Sequence, residues 1–530
     1  MDGLIIALAV IGIYIVLAYA LNRRGILAKF NMTMWGPFIM WRTKRGKDLI
    51  EKLSKPTRFW NAYALLSKVL VIGTMVFIMA LLIWEAFLVP SIPAENAPSV
   101  EMLIGLPGIN PIIPIWYGIL GLVVAVFIHE FAHGILTRVG NMAVKALGIV
   151  FLVVPMGAFV EPDEEALVKV DKKKRTSVYA VGPGTNIIAA IICALLFSSI
   201  MVASAEPIRD NPLVVSVADG SPATLGGLSY GDQIISVNGV AIGNGQYSNF
   251  DAPDPGTNAS VTFYRGDDLL QANVISGVVF TTIADDLPAD NAGLRNGMIL
   301  SSLNGSVVRN EADFRNILMS IAPGTTVPVS ALVFNSTSGS YEAASTVSSI
   351  TPVSKKEYFA THYGQDAEDI AYVGVNTAYM GAVTNDPQVI LDKLGNPFAG
   401  ADSFNDFISG TLVYIALPFY GLQPLQSPLS DIFVPGGIFA GIPTDIFWMI
   451  ANSLYWIFWI NLMVGMTNAL PAVPLDGGFL FKDWLDSIVN KVKKKSDQAT
   501  RDMYVNSITW AFALLVLFLI VWQLIGPRLL

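Results

Sequence analysis

Two histidines four residues apart flank a glutamate in Val126-Phe127-Ile128-His129-Glu130-Phe131-Ala132-His133-Gly134. On a helix, positions four apart share a face, so His129 and His133 point the same way. Two neutral imidazoles at that spacing can hold one Zn²⁺, and Glu130 beside them can take a proton from water that zinc has acidified. The motif lies in the apolar run Ile112 to Leu136. A strongly polar side chain deep in a bilayer costs roughly 2.5–3.5 kcal/mol even on lenient scales. Three of them within five positions call for a compensating partner, and a metal ion is one.

Such a site needs a third protein ligand. No other histidine occurs among the apolar spans, which leaves a carboxylate. The candidate is Asp476, in Asn468-Ala469-Leu470-Pro471-Ala472-Val473-Pro474-Leu475-Asp476-Gly477-Gly478. Its prolines and glycines loosen the backbone and let the carboxylate face a cavity; the plainer reading is a helix-capping aspartate. Asn186, in Gly182-Pro183-Gly184-Thr185-Asn186, is an amide inside another apolar run. It either joins helices by hydrogen bonding or donates to a developing oxyanion.

The elements that must position these residues are membrane helices. The chain has 530 residues, 53% hydrophobic and 14% charged, and a mean hydropathy of +0.54. This composition predicts a polytopic α-helical membrane protein. Six spans are expected: Leu4–Leu21, Leu66–Val89, Ile112–Leu136, Val178–Ala203, Phe447–Leu470 and Ile508–Ile525. The stretch Ala143 to Val160, broken by Gly148, Pro155 and Gly157 but rich in valine (Val150, Val153, Val154, Val160), predicts a re-entrant β-hairpin or loop beside the metal, the plainer reading being a cytoplasmic strand pair. The apolar patch Phe30 to Met40 is expected along the membrane surface. Segment 403–443, punctuated by prolines, is expected as an outer-leaflet hairpin or a partly inserted helix. The single cysteine, Cys193, excludes a disulfide framework or a Cys-rich zinc site.

Charge sets the orientation. Residues 206–402 hold 21 acidic and 8 basic side chains, a net of −13, within a chain of net −8. Basic residues cluster at Arg23–Arg58, Lys169–Arg175 and Lys482–Arg501. The split excludes nucleic-acid binding and places the basic loops in the cytoplasm, the acidic insertion outside, and the metal motif toward the cytoplasmic side.

The insertion contains a repeat. Val214 to Ala223, Gly226-Gly227-Leu228 and Gly231 to Gly239 are echoed by Val278 to Ala289, Ala292-Gly293-Leu294 and Gly297 to Gly305. Each copy runs from strand to Ser/Leu-Pro-Ala turn to strand and ends on Asn-Gly, a turn signal. Together they resemble tandem PDZ domains, modules that bind extended peptides by adding a strand to a sheet edge. The expected organisation is a first helix and basic loop (1–65), a membrane core (66–205), two PDZ-like domains (206–276 and 277–335), an unassigned external segment (336–402) and a C-terminal membrane region (403–530). The fold class is thus a helical membrane protein with an inserted α/β-type soluble region.

HExxH in an apolar helix, Gly-Pro-x-x-Asn at 182–186, a PDZ-like insertion and Leu475-Asp476-Gly477 together resemble the site-2 protease family of intramembrane zinc metalloproteases. The resemblance implies His129, His133 and Asp476 as zinc ligands, Glu130 as general base and Asn186 as an active-site amide. It further implies a substrate-facing strand near Val153 to Val160 and single-span membrane substrates already trimmed by another protease. Two other readings are a metal transporter, which requires polar residues lining several spans, and a catalytically inactive PDZ-bearing scaffold.

Overall fold

Long apolar runs form helices in the first of two units even across Gly182-Pro183-Gly184, because a backbone in lipid must satisfy its own hydrogen bonds. The structure is a computed structural model that describes all residues except 1, 44–45, 93, 95–96, 104, 106, 153, 346, 364–365, 400, 421–426 and 530. The chain divides into a unit of residues 1–197, 415–421 and 449–530 and a second of 198–414 and 422–448. Helix α1 is Asp2–Arg23, α2 Thr57–Leu88, α3 Ile115–Val139, α4 Lys172–Leu195, α5 Thr444–Ala469, α6 Asp476–Val492 and α7 Gln498–Leu529. Among the described residues five helices are long and apolar enough to cross a membrane, at 57–91, 115–139, 172–204, 444–469 and 498–529. These overlap five of the six expected spans, differing by one to three residues at Ile112 and Leu470, and the sixth, 4–21, lies within α1.

The helices of the first unit approach closely where glycines remove the side chain. A Cβ on Gly121 of α3 would lie 2.9 Å from the Trp456 carbonyl of α5, and one on Gly184 of α4 would lie 2.4 Å from Ser67 Cβ of α2. A Cβ on Gly465 of α5 would lie 2.9 Å from Ile187 of α4, so these contacts bring α3, α4 and α5, which carry His129, Asn186 and Asn461, together.

The expected hairpin forms. Strand β3 (Val144–Leu152) pairs antiparallel with β4 (Val154–Pro162), with Ile149 opposite Ala158. Val153 lies outside the described residues. Gly148 opposes Phe159, whose ring covers the glycine so closely that a Cβ would sit 2.2 Å from it. The patch 30–40 adds two further strands, β1 (Met32–Trp35) and β2 (Phe38–Thr43), in the order β1-β2-β3-β4. The two-residue Gly36-Pro37 turn, with Gly36 at φ 56°, closes that hairpin. Strand β4 therefore ends the sheet, and it packs against α3: a Cβ on Gly134 would meet Val160 Cγ1 at 3.1 Å.

The second unit holds two sheets of like topology. In the first, strands Leu213–Val217 (β5), Gln233–Val237 (β6), Asn258–Arg265 (β7) and Asp268–Ile275 (β8) form the path β8-β7-β6-β5. In the second, Val278–Ile283 (β9), Ile299–Leu303 (β10), Val327–Asn335 (β11) and Ser340–Ala343 (β12) form β12-β11-β10-β9. Asn238-Gly239 and Asn304-Gly305 share φ values of 51° and 78°, the left-handed pair that a tight hairpin turn requires. The copies differ between their second and third long strands. There the second copy has a helix, Glu311–Met319, whereas the first has a loop whose Tyr247, Phe250 and Ala252 fill its core.

Residues beyond 335, which had no assignment from sequence, complete both sheets. Val375–Tyr379 (β13) pairs with β9, and Ala382–Asn385 (β14) pairs back with β5. They sit in a heptad repeat, Ala371-Tyr372-Val373-Gly374-Val375-Asn376-Thr377 followed by Ala378-Tyr379-Met380-Gly381-Ala382-Val383-Thr384. Equivalent positions make equivalent bonds. Gly374 and Gly381 accept from Ala284 and Ala218 N–H, and Val373 and Met380 accept from Ala289 and Ala223 N–H. In segment 403–443 the helix Phe404–Ala416 is followed by a short strand, Phe433–Pro435, paired with Ala205–Pro207.

Candidate metal centre

His129 and His133 lie one turn apart on α3, and each ring is fixed through Nδ1. His133 Nδ1 is 2.8 Å from the Val178 carbonyl, which can only accept, so that nitrogen carries the proton. His129 Nδ1 is 2.6 Å from Asn186 Oδ1. The amide of Asn186 is itself oriented: Nδ2 donates to the Ala125 carbonyl at 3.0 Å and to Asn461 Oδ1 at 2.9 Å. Asn461 in turn donates to the Ile457 carbonyl at 2.8 Å, and both asparagines are fully buried. The oxygen of Asn186 must therefore face His129, and His129 Nδ1 is the donor. Both Nε2 atoms are left as lone pairs.

Those lone pairs converge on Asp476. The Nε2 atoms are 3.1 Å apart, and Asp476 Oδ2 is 3.1 Å from His129 Nε2 and 3.2 Å from His133 Nε2. Three acceptors facing one another at this range repel unless a cation lies among them. Tetrahedral zinc with nitrogen and oxygen ligands at about 2.0–2.2 Å has ligand edges of about 3.3 Å, which fits the triangle. A second observation agrees. Gly182 of α4 faces the two imidazoles, and a Cβ there would lie 2.3 Å from His133 Nε2 and 2.7 Å from His129 Nε2. Only glycine leaves this space open. The donor set and the cradle fit zinc.

Asp476 is the first residue of α6, where the positive end of the helix dipole favours a carboxylate. The two glycines after it let that helix end seat against the preceding turn. A Cβ on Gly477 would lie 2.3 Å from the Ala469 carbonyl oxygen, and one on Gly478 would lie 2.5 Å from the Ala472 carbonyl carbon. Glu130 is half-buried and points to the sheet, where its Oε2 accepts the Val160 N–H of β4 at 3.0 Å. Beside it a cavity of about 270 Å³ is bounded by Val126 and Phe127 of α3 and by Gly157 to Val160 of β4.

The structure thus brings His129, His133 and Asp476 to one point with Asn186 behind them, and sets Glu130 against β4. Asn186, expected either to join helices or to donate to an oxyanion, here gives its amide hydrogens to Ala125 and Asn461 and turns its oxygen to His129. Sequence reasoning missed Asn461, although an asparagine in the middle of an apolar span was a signal. The Val178 carbonyl has no sequence signal, because every residue has one.

Comparison with known proteins identifies the family. The description "Peptidase family M50" matches residues 117–516, about three quarters of the chain, from α3 through Asp476 into α7. An uncharacterized protein of Methanocaldococcus jannaschii is 32% identical over 215 residues, which is 40% of this chain and 54% of that relative. The chain thus spans about half the length of the curated relative it matches.

Proposed function

The chain belongs to peptidase family M50, the site-2 protease family, and on that premise we propose that it is an integral-membrane zinc endopeptidase cleaving membrane-spanning segments of single-span proteins. The observation that carries the reading is the convergence of two imidazole lone pairs and one carboxylate oxygen on a point that Gly182 keeps open. His129, His133 and Asp476 would hold zinc there, and the bound ion would supply the Lewis acidity that polarises a scissile carbonyl and acidifies water.

The remaining work falls to the chain. His129, His133 and Asp476 hold the ion. Asn186 and the Val178 carbonyl keep the imidazoles in the ligating tautomer. Glu130 takes a proton from the attacking water and delivers it to the leaving amine, while the Val160 N–H orients its carboxylate. The outer edge of β4 offers backbone groups to an unwound substrate segment, which keeps that segment hydrogen-bonded while its peptide bond is presented. The substrate is a single-span protein trimmed beforehand by another protease. The site lies toward the cytoplasmic side and the acidic insertion on the other. The repeats of the insertion act as PDZ-like filters against substrates with bulky external domains.

The test is a set of variants reconstituted with a single-span reporter. Glu130→Gln keeps its zinc and loses turnover, whereas His129→Ala, His133→Ala and Asp476→Ala lose both. Wild-type turnover by Glu130→Gln would overturn the assignment of the base, and full zinc in Asp476→Ala would overturn that of the third ligand. Replacing 211–386 by a flexible linker admits untrimmed substrates. A linker variant that binds zinc but cleaves no reporter defeats the filter.

A further inference from the structure

A second cavity in the first unit, of about 780 Å³, lies between α2, the start of α4, α6 and α7, and no step of the chemistry above uses it. Its length is lined by apolar side chains, among them Ile72, Met79, Phe481 and Phe512. One end is cationic and is formed by Lys68, Lys172 and Lys173. The acids at that end are already matched. Asp483 is held by Arg175 through two bonds of 2.8 and 2.6 Å, and Asp486 is paired with Lys172. Lys68 donates to the Lys173 carbonyl at 2.8 Å, which leaves its charge uncancelled. Among the described residues neither Lys68 nor Lys173 has a carboxylate within salt-bridge range, Asp171 acting on Lys68 only from further off. Trp484, 58% exposed, stands at the same end, where an indole suits a headgroup boundary.

We infer that this groove binds an anionic diacyl phospholipid, with its phosphate at Lys68 and Lys173 and its chains along α2 and α7. Charge selects the occupant: the cationic end, with Lys68 and Lys173 unmatched by a carboxylate, suits a phosphate. From Lys68 to Ile83 the apolar part follows fifteen residues of α2, about 22 Å at 1.5 Å each, room for extended acyl chains. Basic pockets between membrane helices are a recognised setting for anionic headgroups. The site is independent of the proposed protease activity, although α6, which begins at Asp476, forms one wall.

The experiment uses the purified full-length chain, stripped of lipid in detergent, and native mass spectrometry. Phosphatidylglycerol and phosphatidylcholine of identical chains are titrated in turn. One phosphatidylglycerol is retained in strong preference to phosphatidylcholine. Lys68→Gln/Lys173→Gln lowers affinity for phosphatidylglycerol about thirtyfold, from about 1 kcal/mol per lysine, and leaves phosphatidylcholine unchanged. Met79→Trp, which fills the groove, weakens both. Equal retention of the two lipids by the wild-type chain overturns the proposal, and so does an undiminished preference in the double variant. Stoichiometric displacement of phosphatidylglycerol by an apolar helical peptide would identify the groove as a helix site and overturn it as well.

Discussion

Gly182→Ala is the sharpest probe of the metal centre, because it adds one methyl group and touches no ligand. The new Cβ would stand 2.3 Å from His133 Nε2 and 2.7 Å from His129 Nε2, where ordinary contact begins at 3.4 Å. The shortfall is about 1.1 Å on the nearer ring, and displacements of about 1 Å in a reacting site cost on the order of 100-fold. The methyl also occupies the region where an ion about 2.0–2.1 Å from each nitrogen must sit. The fold has little reason to suffer: alanine is better than glycine in a helix by about 0.8–1.0 kcal/mol, which offsets the local crowding. Zinc affinity, measured by competition with a chromophoric chelator, falls at least 10–100-fold, with turnover falling alongside while the melting temperature stays near wild type. Gly73→Ala, on α2 with nothing within 4 Å of the added Cβ, is the control and binds zinc normally. A Gly182→Ala protein with wild-type zinc affinity would show that the ion does not occupy this cradle.

Asn461→Leu removes one of the two acceptors that orient the Asn186 amide and weakens zinc binding about 10–100-fold; the Asn186→Leu/Asn461→Leu double variant is no worse than Asn186→Leu alone, and additive losses, or an unaltered spectrum of the cobalt-loaded variant, would break the proposed chain of orientation. In the second unit, burial raises the carboxyl pKa of Glu311 above its ordinary 4.5. The unfolded chain therefore binds fewer protons at this group, and the contribution to stability present below 4.5 is lost as pH rises through the raised value. Glu311→Gln keeps a carbonyl oxygen for the Tyr379 N–H, which Glu311 accepts at 2.9 Å, and removes that loss. Hydrogen exchange in β13 of the full chain then shows greater protection in the variant at neutral pH and equal protection at low pH; the reverse order would contradict the sign.

What could be read in advance follows the range of the forces involved. His129 and His133 announce a shared face because helical periodicity is local, and Asp476 is conspicuous 343 residues later because an acid among prolines and apolar residues needs a reason. The hairpin at 143–160 was legible from valines and glycines, whereas the two strands that 32–43 adds to it depend on Met40 finding Val150 across more than a hundred residues. Asn186 was visible, but its task was not. An amide can donate forward to a substrate or hold a histidine from behind, and the choice lies with the Ala125 carbonyl and Asn461. The heptads at 371–384 stand in plain view, yet their meaning is the pairing with β9 and β5.

That pairing sets an order of assembly. β13 meets β9 through Val375 and Ile283, 92 positions apart, but β14 closes onto β5 through Ala382 and Val217, 165 positions apart. The second sheet lies wholly inside the interval that the first must wait for. A ribosome adding about 5–20 residues per second leaves β5 without its outer neighbour for about 8–33 s. During that time the strand presents unpaired N–H and C=O groups to any other chain. A net charge of −13 across 206–402 repels like nascent chains through that interval. The heptads thus act as a late-arriving clasp, and a protein truncated before Ala382 leaves both repeats translated and the first sheet open.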